Sequence, residues 1–409
     1  MAKRGVPLMV LIIVLVFGAG AVVLVLALAL RRKSKGCGTD SGTALVSKTP
    51  SYDIMWQEIR AKRVWTPLQT LPGTDGVEPF MREGQPSFSL FVRPSNEWVR
   101  ECERVIEAAS EAMLAPDAAS LTDEITIVTT LLDLKRGSEA GDGFQRSMQE
   151  YYDRFNRILL CNFKMVIFIP VEMKAHLSFQ DNARVTIVHF SDTDLKNYFP
   201  YYERVQAIRT SPTWKQQSHE IGWLEKSPQA SLAGYCPLIM SKMFLVRDAA
   251  KMNPYKTKYF LFLDSGHLCA TTQTPEQMQV FTSNMNRAFL LTHWPYSCGG
   301  KDMAREVHGM TCAAMQAYAG SSEPTLRIVR GGVFGGKIQH IDVVAKVYEI
   351  TLAQTLSDGY MGTEENILAI ILARFPRLFS AFDNNQFGKH DDSCAIFDQQ
   401  TRVAENKEA

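Results

Sequence analysis

Short apolar runs alternate with segments of helical periodicity through the larger part of the chain. Four runs rich in β-branched and aromatic residues predict buried strands, at 124–130, 164–170, 183–190 and 258–264. Apolar side chains recur at helical spacing between them, over 146–161 and 236–252. Strands that alternate with helices in this way predict an α/β fold with a mostly parallel sheet flanked by helices.

The amino-terminal part has a different pattern. Residues 6–30 carry no charged side chain, and at about 1.5 Å per residue a helix of this length crosses a bilayer. The run continues into RRKSK rather than a small-residue cleavage site, which favours one transmembrane signal-anchor helix over a cleaved signal peptide. The flanking charges favour a cytosolic domain, but long domains are translocated despite such charges, so both orientations stay open.

Composition shifts divide the chain further. We predict a short amino-terminal tail at 1–5, a flexible stem at 31–85 and a strand–helix lead-in at 86–123. The main domain follows over 124–395, and 396–409 is predicted to be a disordered tail.

Charge and cysteine content exclude some functions. The formal net charge is +1, which gives no electrostatic reason to expect a nucleic-acid partner. The eight cysteines form no CxxC pair, so zinc-ligand spacing is absent. Their even number permits disulfides in an oxidising lumen without requiring them.

Asp264 directly follows the fourth predicted strand, in the sequence YFLFLDSGH. Ligands of open α/β sheets bind at the carboxyl ends of strands, and a carboxylate there can hold a divalent cation that bridges phosphate oxygens. Ser265 and Gly266 favour a tight turn, and His267 is a candidate nitrogen ligand for the same Mn²⁺ or Mg²⁺. The second carboxylate of an Asp-x-Asp pair is missing, so an Asp264 that only caps the following loop stays an alternative.

A second polar group follows the first predicted strand, in TTLLDLKRG. Thr130, Asp133 and Arg136 are placed there to bind a base, a ribose or a diphosphate. An arginine suits phosphate because its guanidinium can donate two parallel hydrogen bonds. The alternative is a surface loop with ordinary charges.

A glycine-rich segment and an aromatic pair are candidates for the opposite side of a site. The segment RGGVFGGK, at 330–337, lets backbone approach a ligand closely, although its spacing is not that of a P-loop. A strand with bulges explains the same glycines. Earlier in the chain, His293 and Trp294 are candidates for the wall of an acceptor pocket.

Two adjacent glutamates begin a predicted helix in GTEENIL. Thr363 is predicted as its N-cap, and acids in the first turn interact favourably with the helix dipole, which is the structural explanation for Glu364 and Glu365. The apolar residues that follow predict a buried helix, which would hold these carboxylates rigidly. Rigid placement is what a general base or a stabilising carboxylate needs.

These motifs together resemble the HtrL/YibB-type family, whose members are similar to GT-A glycosyltransferases. The resemblance covers about Ile125 to Phe382 and rests on TIVTTLLDLKRG, QEYYDRFNRIL, KMVIF, YCPLIMSKMFLVRDAA, YFLFLDSGH, GGVFGG and GTEENIL. The ordered set is more specific than any one piece. A lysine-bearing helix belongs to the family pattern, and Lys242 is its counterpart here.

The resemblance implies a GT-A-like domain that moves a sugar from a nucleotide-sugar donor to a glycan or glycoconjugate hydroxyl. The residues expected on the donor side are Thr130, Asp133, Arg136, Lys242, Asp264, Ser265 and Gly266, with Mn²⁺ or Mg²⁺ at Asp264 and His267. Those expected on the acceptor side are His293, Trp294, Arg330, Gly331, Gly332, Gly335 and Gly336. Glu364 or Glu365 is expected to act at the reacting centre.

A single-pass anchor followed by a stem suits a domain facing the lumen of the Golgi or another endomembrane compartment. The competing hypothesis is a membrane-tethered protein that kept the fold and binds a carbohydrate or a nucleotide without catalysis. The missing second carboxylate after Asp264 is its main support. A domain on the cytosolic side of a reversed anchor is a third alternative.

Overall fold

A computed structural model describes residues 11–17, 20–26, 57, 96–160, 163–179, 182–266, 282–299, 306–320 and 325–383. The chain divides into two compact units, Met1–Thr49 and Pro50–Ala409. The predicted tails, the stem and the early part of the lead-in lie largely outside the described residues.

A seven-stranded sheet forms the centre of the second unit. Its strands are β1 (Thr122–Thr130), β2 (Lys164–Ile169), β3 (Val185–His189), β4 (Thr257–Leu263), β5 (Phe289–Gly299), β6 (Thr325–Lys337) and β7 (Phe379–Asp383). Their order across the sheet is β7-β5-β6-β4-β1-β2-β3. The four strands predicted from the sequence are β1 to β4, and the structure confirms all four.

Most neighbouring strands are parallel. β4, β1, β2 and β3 pair in parallel, as do β5 and β7, whereas β6 is antiparallel to both β4 and β5. Six strands therefore run in one direction and β6 runs against them. The carboxyl ends of β1 and β4 consequently meet at one edge of the sheet, where the amino-terminal half of β6 also arrives.

The longer helices cover both faces. They are α1 (Glu97–Leu114), α2 (Met148–Leu159), α3 (Asp192–Tyr198), α4 (Tyr202–Thr210), α5 (Pro212–Ile221), α6 (Tyr235–Met252), α7 (Cys312–Ala319), α8 (Ile338–Ser357) and α9 (Glu364–Arg374). Single helical turns lie at Arg136–Glu139, Trp223–Lys226 and Pro228–Ser231, 3-10 turns at Val171–His176, Asn182–Arg184 and Pro376–Leu378, and a small ribbon pairs Glu306–Val307 with Met310–Thr311. This arrangement confirms the predicted α/β fold.

Alternate residues of the central strands enter two separate cores. On one face Val128, Phe260 and Phe262 pack with apolar residues of α6 and α8. On the other face Ile127 and Leu261 pack with apolar residues of α2. Because parallel strands covered on both faces bury every side chain, they appear in the sequence as continuous apolar runs rather than as alternating patterns. The uninterrupted apolar run of β4 therefore identifies it as a buried strand from the sequence alone.

The glycine-rich segment is part of β6, as the strand alternative predicted. A Cβ on Gly335 would lie 2.1 Å from the backbone oxygen of Phe260, so only glycine permits this approach to β4. The register between β6 and β5 shifts between Arg330 and Phe334, which marks a bulge at residues 331–333. The bulge turns the backbone of Gly331 and Gly332 toward the ends of β4 and α9.

A hairpin stands where the sequence predicted a helix near the amino terminus. Leu11–Phe17 and Gly20–Leu26 pair as antiparallel strands. The many Val and Ile side chains in this run favour extended backbone, and a helix over 6–30 is therefore a wrong prediction at these residues. Among the described residues, no helix is both long and apolar enough to pass through a bilayer.

A disulfide joins Cys298, in β5, to Cys312, at the start of α7. We expect its removal to lower the free energy of unfolding by about 2–4 kcal/mol, because the closed loop restricts the unfolded chain. Urea unfolding with and without dithiothreitol measures this. The C298A/C312A double variant is the control. Its unfolding curve should match that of the reduced wild type and should not change when dithiothreitol is added. A wild-type curve that does not respond to dithiothreitol would contradict the prediction.

Candidate active site

A cavity of about 450 Å³ opens where β1 and β4 end. Its walls come from the loop after β1, the start of α2, the first half of α6, the turn after β4 and the bulge of β6. The lining side chains that carry charge are Asp133, Arg136, Arg146, Arg154, Lys242, Asp264 and Arg330. Five cations and two anions face one space, so the cavity suits a polyanionic ligand.

The structure brings all of the predicted donor-side residues into this cavity. The seven that line it are Thr130, Asp133, Arg136, Lys242, Asp264, Ser265 and Gly266. Arg330, which was predicted on the acceptor side, lines the same cavity. Thr130 is fixed by donating to the carbonyl oxygen of Phe168 at 2.9 Å. The parallel sheet explains this meeting, because strands distant in sequence end at the same edge.

Lys242, on α6, lies at the base of the cavity and contacts residues of three other elements. Its Nζ lies 2.8 Å from Asp264 Oδ1 and 2.6 Å from Glu364 Oε1, and it donates to the carbonyl oxygen of Gly331 at 3.3 Å. The Phe262 ring lies beneath it, with the centroid 5.3 Å from Nζ. The side chains of Lys242 and Glu364 are nearly inaccessible, whereas that of Asp264 is 38% exposed. Lys242 thus links α6, β4, β6 and α9.

The pKa values of this group reflect burial and mutual attraction. Burial by itself lowers the pKa of Lys242, but the carboxylates of Asp264 and Glu364 outweigh it and raise that pKa above its ordinary value. Burial raises the pKa of Glu364 to about 7, helped by the negative charges of Glu365 and Asp264 and opposed by Lys242. Lys242 therefore stays charged at neutral pH while Glu364 titrates there.

Glu365 has the opposite environment. Burial would raise its pKa, yet the pKa is lowered because His308 and the backbone N–H of Gly331 stabilise the carboxylate. His308 Nε2 lies 2.7 Å from Glu365 Oε2, Gly331 donates to Oε1 at 2.7 Å, and the Trp294 indole N–H donates to Oε2 at 3.4 Å. Two consecutive glutamates are thus held with different protonation behaviour, a pattern typical of acid–base sites.

Gly331 and Gly332 fit between these carboxylates by backbone alone. A Cβ on Gly331 would lie 2.2 Å from Glu364 Oε1, so any side chain there would displace that carboxylate. The Gly332 carbonyl accepts the backbone N–H of Asp264 at 3.0 Å and fixes the start of the turn after β4. Gly331 therefore contacts Glu364 and Gly332 contacts Asp264, and their place on the acceptor side stays a prediction.

Three arginines near α2 are arranged around the cavity mouth. Arg136 donates to the Phe144 carbonyl at 2.8 Å and to the Tyr151 hydroxyl at 2.9 Å. Arg154 donates to the Gly266 carbonyl at 3.3 Å and pairs with Glu150 at 2.6 Å. In the part of the chain that the structure describes, Arg146 makes no hydrogen bond or ion pair, so its guanidinium is available to a ligand.

Sequence reasoning missed Arg146, Arg154 and His308. Arg146 precedes α2 and Arg154 lies within it. The apolar periodicity of this helix marks only the face that is buried, and the arginines are not part of that pattern. His308 lies in the ribbon before α7 with a φ of 51°, next to Gly309 at 103°. No motif marks it, and only its contact with Glu365 shows its importance.

A second cavity of about 420 Å³ adjoins the first and shares Asp133. Its wall includes the rings of Tyr152 and His176, which stack with centroids 4.6 Å apart. Asp192 also lines it, and burial together with the nearby charge of Asp133 raises the pKa of that carboxyl. Asp133 itself is paired with Lys135 at 3.1 Å, which has a left-handed backbone with φ of 61°.

Four other predicted acceptor-side residues do not line the cavity. Gly335 and Gly336 pair with β4 inside the sheet and contact Phe260 and Phe289, so their role is packing. His293 is buried, with Nδ1 3.1 Å from the Trp294 carbonyl oxygen, and does not line the cavity. Trp294 is half-buried beneath the Arg330 guanidinium, whose Cζ lies 4.8 Å from its ring.

Among the described residues, Asp264 does not belong to a group of side chains suited to hold a cation. Within that part of the chain, no group of three or more His, Cys, Asp or Glu side chains is arranged to hold a metal ion. Asp264 Oδ1 is already ion-paired with Lys242 Nζ at 2.8 Å, so a cation bound to the same oxygen would be repelled by the ammonium beside it. His267, the other predicted ligand, lies outside the described residues.

Two solved glycosyltransferases are similar in outline. Mouse xyloside xylosyltransferase 1 in its apo form is 12% identical, with a TM-score of 0.35, covering 64% of this chain and 85% of that one. Aspergillus fumigatus core-mannan synthase A in an Mn/GDP form is 8% identical, with a TM-score of 0.37, covering 66% and 75%. At these scores the superpositions carry no argument about function. A comparison with curated proteins gave no match.

A protein family matches much more directly. The family described as "Bacterial protein of unknown function (HtrL_YibB)" covers residues 123–398, from the start of β1 to beyond β7. Every motif quoted for the resemblance lies within that range. The predicted resemblance is confirmed, and the chain belongs to the HtrL_YibB family.

Proposed function

We propose that this protein is a GT-A-like glycosyltransferase that moves a sugar from a nucleotide-sugar donor to a hydroxyl of a glycan or glycoconjugate. The observation that carries the proposal is the cavity at the ends of β1 and β4, where five cationic side chains meet beside the buried Glu364 and the partly exposed Glu365. The cationic side chains would neutralise the diphosphate of a nucleotide-sugar. A glutamate carboxylate would act as base or stabiliser at the carbon of the sugar that reacts.

The donor would occupy both cavities. Its diphosphate would lie among Arg136, Arg146 and Arg154, because guanidinium groups bind phosphate oxygens in pairs. Its base and ribose would extend past Asp133 toward the second cavity, where carboxylates accept hydroxyl hydrogen bonds and aromatic rings provide a stacking face. The sugar would then point to the wall formed by Asp264 and Arg330.

The two glutamates would have different tasks. The Glu364 side chain is only 4% exposed and touches Lys242, so it is a positioning residue. The Glu365 side chain is 14% exposed, and it is bordered by Trp294 and by His308, which is 28% exposed. Glu365 is the carboxylate that an acceptor can reach, and it would serve as base in an inverting reaction or as stabiliser in a retaining one.

The experiment is turnover of a panel of UDP-, GDP- and dTDP-sugars by the full-length protein, measured as release of the nucleotide with and without glycan acceptors. We expect one donor class to be used, and the Asp133→Asn variant to weaken its binding. The Asp142→Asn variant, changed at an exposed position outside the cavity lining, is the matched control. Absence of turnover and of nucleotide binding across the panel would refute the proposal.

A catalytically silent nucleotide-binding protein is the second candidate. The specific observation in its favour is that Asp264, the predicted cation-binding carboxylate, is engaged by Lys242. Tight binding of a nucleoside diphosphate without turnover of any donor, in the presence of acceptors, would establish it.

We propose that the domain lies in the lumen of the Golgi or another endomembrane compartment, held at the membrane by the apolar side chains of residues 6–30 and not by a transmembrane helix. The disulfide between Cys298 and Cys312 supports a lumenal side, because disulfides persist in oxidising compartments. Carbonate extraction tests the attachment, and protease protection in sealed microsomes tests the side. A domain digested without detergent would place it in the cytosol instead.

A further inference from the structure

We infer that this protein binds the donor diphosphate through its arginines without a divalent cation, Lys242 having taken the position beside Asp264 that a cation would need. The inference rests on the proposed function and concerns how the same site neutralises its substrate. It replaces the predicted Mn²⁺ or Mg²⁺ with a charge that belongs to the chain.

The first argument is the complete engagement of the Lys242 ammonium. An ammonium has three N–H donors. Three oxygens surround Nζ, namely Asp264 Oδ1 at 2.8 Å, Glu364 Oε1 at 2.6 Å and the Gly331 carbonyl at 3.3 Å. Lys242 therefore has no N–H left for a phosphate, and its function is to neutralise and orient the two carboxylates.

The second argument is the burial of this arrangement. Lys242 is 6% exposed and Glu364 3% exposed, so neither charge can turn to solvent when a ligand arrives. A divalent cation at Asp264 would have to displace an ammonium that is held from three sides. Moving a charged lysine away from Glu364 would leave that buried carboxylate without a counter-charge, which is unfavourable.

The third argument is an alternative source of positive charge at the cavity. Arg136 and Arg154 are oriented by backbone carbonyls, of Phe144 and Gly266 respectively. Arg146 faces the same cavity and, within the described residues, has no protein partner. Fixed guanidinium groups are suited to a diphosphate because they combine charge with paired hydrogen bonds. These arginines supply the counter-charge that a cation supplies elsewhere.

The test is calorimetric titration of the full-length protein with UDP and with GDP, in EDTA and again in Mn²⁺. We expect the affinity for the bound nucleotide to differ by less than about threefold between the two conditions, which is under 1 kcal/mol. Equilibrium dialysis against Mn²⁺ alone should show no binding that the Asp264→Asn substitution removes. Both readouts are independent of transfer activity.

Variants identify the groups that hold the diphosphate. Arg146→Gln should weaken nucleotide binding in EDTA by about ten- to a hundredfold, the loss expected for charge-assisted hydrogen bonds. Arg157→Gln, exposed on α2 and outside the cavity lining, removes the same charge and should leave the affinity unchanged. Equal effects of the two substitutions would overturn the assignment to Arg146.

The outcomes separate this inference from the proposed function. Binding in EDTA that depends on Arg146 supports the inference. Binding that requires Mn²⁺ overturns it and leaves the proposed glycosyl transfer intact. No binding of UDP or GDP in either condition, with no donor turned over, refutes the proposed function and the inference together.

Discussion

Replacing Lys242 with methionine should lower the free energy of unfolding by about 3–5 kcal/mol at pH 8, because the substitution removes one partner from a buried ionic group. Methionine fills a similar volume above Phe262, so the loss is electrostatic more than steric. Asp264 and Glu364 would then face each other with no ammonium between them. Urea unfolding followed by circular dichroism measures the change.

The pH dependence gives this prediction a second readout. In the wild type, the pKa of Glu364 is about 7 in the folded state against 4.5 ordinarily, so the folded state binds more protons between those values. Stability from this group therefore falls as pH rises through that window. Without Lys242, the pKa of Glu364 in the folded state rises further, so the pH range over which stability falls extends to higher pH. The difference between wild type and Lys242→Met should be small at pH 5 and largest at pH 8.

The control is Lys346→Met on α8. Lys346 pairs with Asp342 at 3.2 Å, but both side chains are largely exposed. An exposed pair of this kind contributes less than about 1 kcal/mol, and the change should be insensitive to pH. If Lys242→Met and Lys346→Met lower the free energy of unfolding equally, the buried ion pairs of Lys242 contribute no more to stability than an exposed ion pair does.

Replacing Glu365 with glutamine should reduce sugar transfer by about 10²- to 10⁴-fold, the contribution typical of a positioned acid–base group. The lowered pKa of Glu365 means that the carboxylate is ionised at neutral pH, and glutamine cannot carry that charge. Nucleotide binding should be nearly unchanged, since Glu365 does not line the cavity assigned to the diphosphate. Initial rates and calorimetric affinities measure the two effects separately.

The folded state should tolerate this change. A glutamine oxygen can still accept the Gly331 N–H. The amide group would replace Oε2, so the hydrogen bond from Trp294 and the ion pair with His308 are lost, at about 1–3 kcal/mol. A matched control is Glu203→Gln, because Glu203 is highly exposed on α4. A Glu365→Gln variant that transfers sugar at the wild-type rate would remove Glu365 from the reacting centre.

Much of the fold was predictable because the burial of a strand or helix shows in the pattern of apolar residues within that element. Strands such as β4, covered on both faces, appear as uninterrupted apolar runs, and α9 shows its start through Thr363 and the acids after it. The amino-terminal run shows the limit of the same reasoning. An apolar segment rich in Val and Ile suits a helix or a strand, and its length alone did not decide between them.

The sequence by itself determined the α/β class, four parallel strands and the polar residues at the strand ends that line the cavity. Tertiary structure decided which charges meet. Lys242 and Glu364 are 122 positions apart, and His308 reaches Glu365 from a ribbon that no motif marks. Apolar periodicity records which face of an element is buried, whereas an ion pair between distant elements leaves no periodic trace. The packing of α6 against β4 brings Lys242 to Asp264, where a metal was predicted from the sequence.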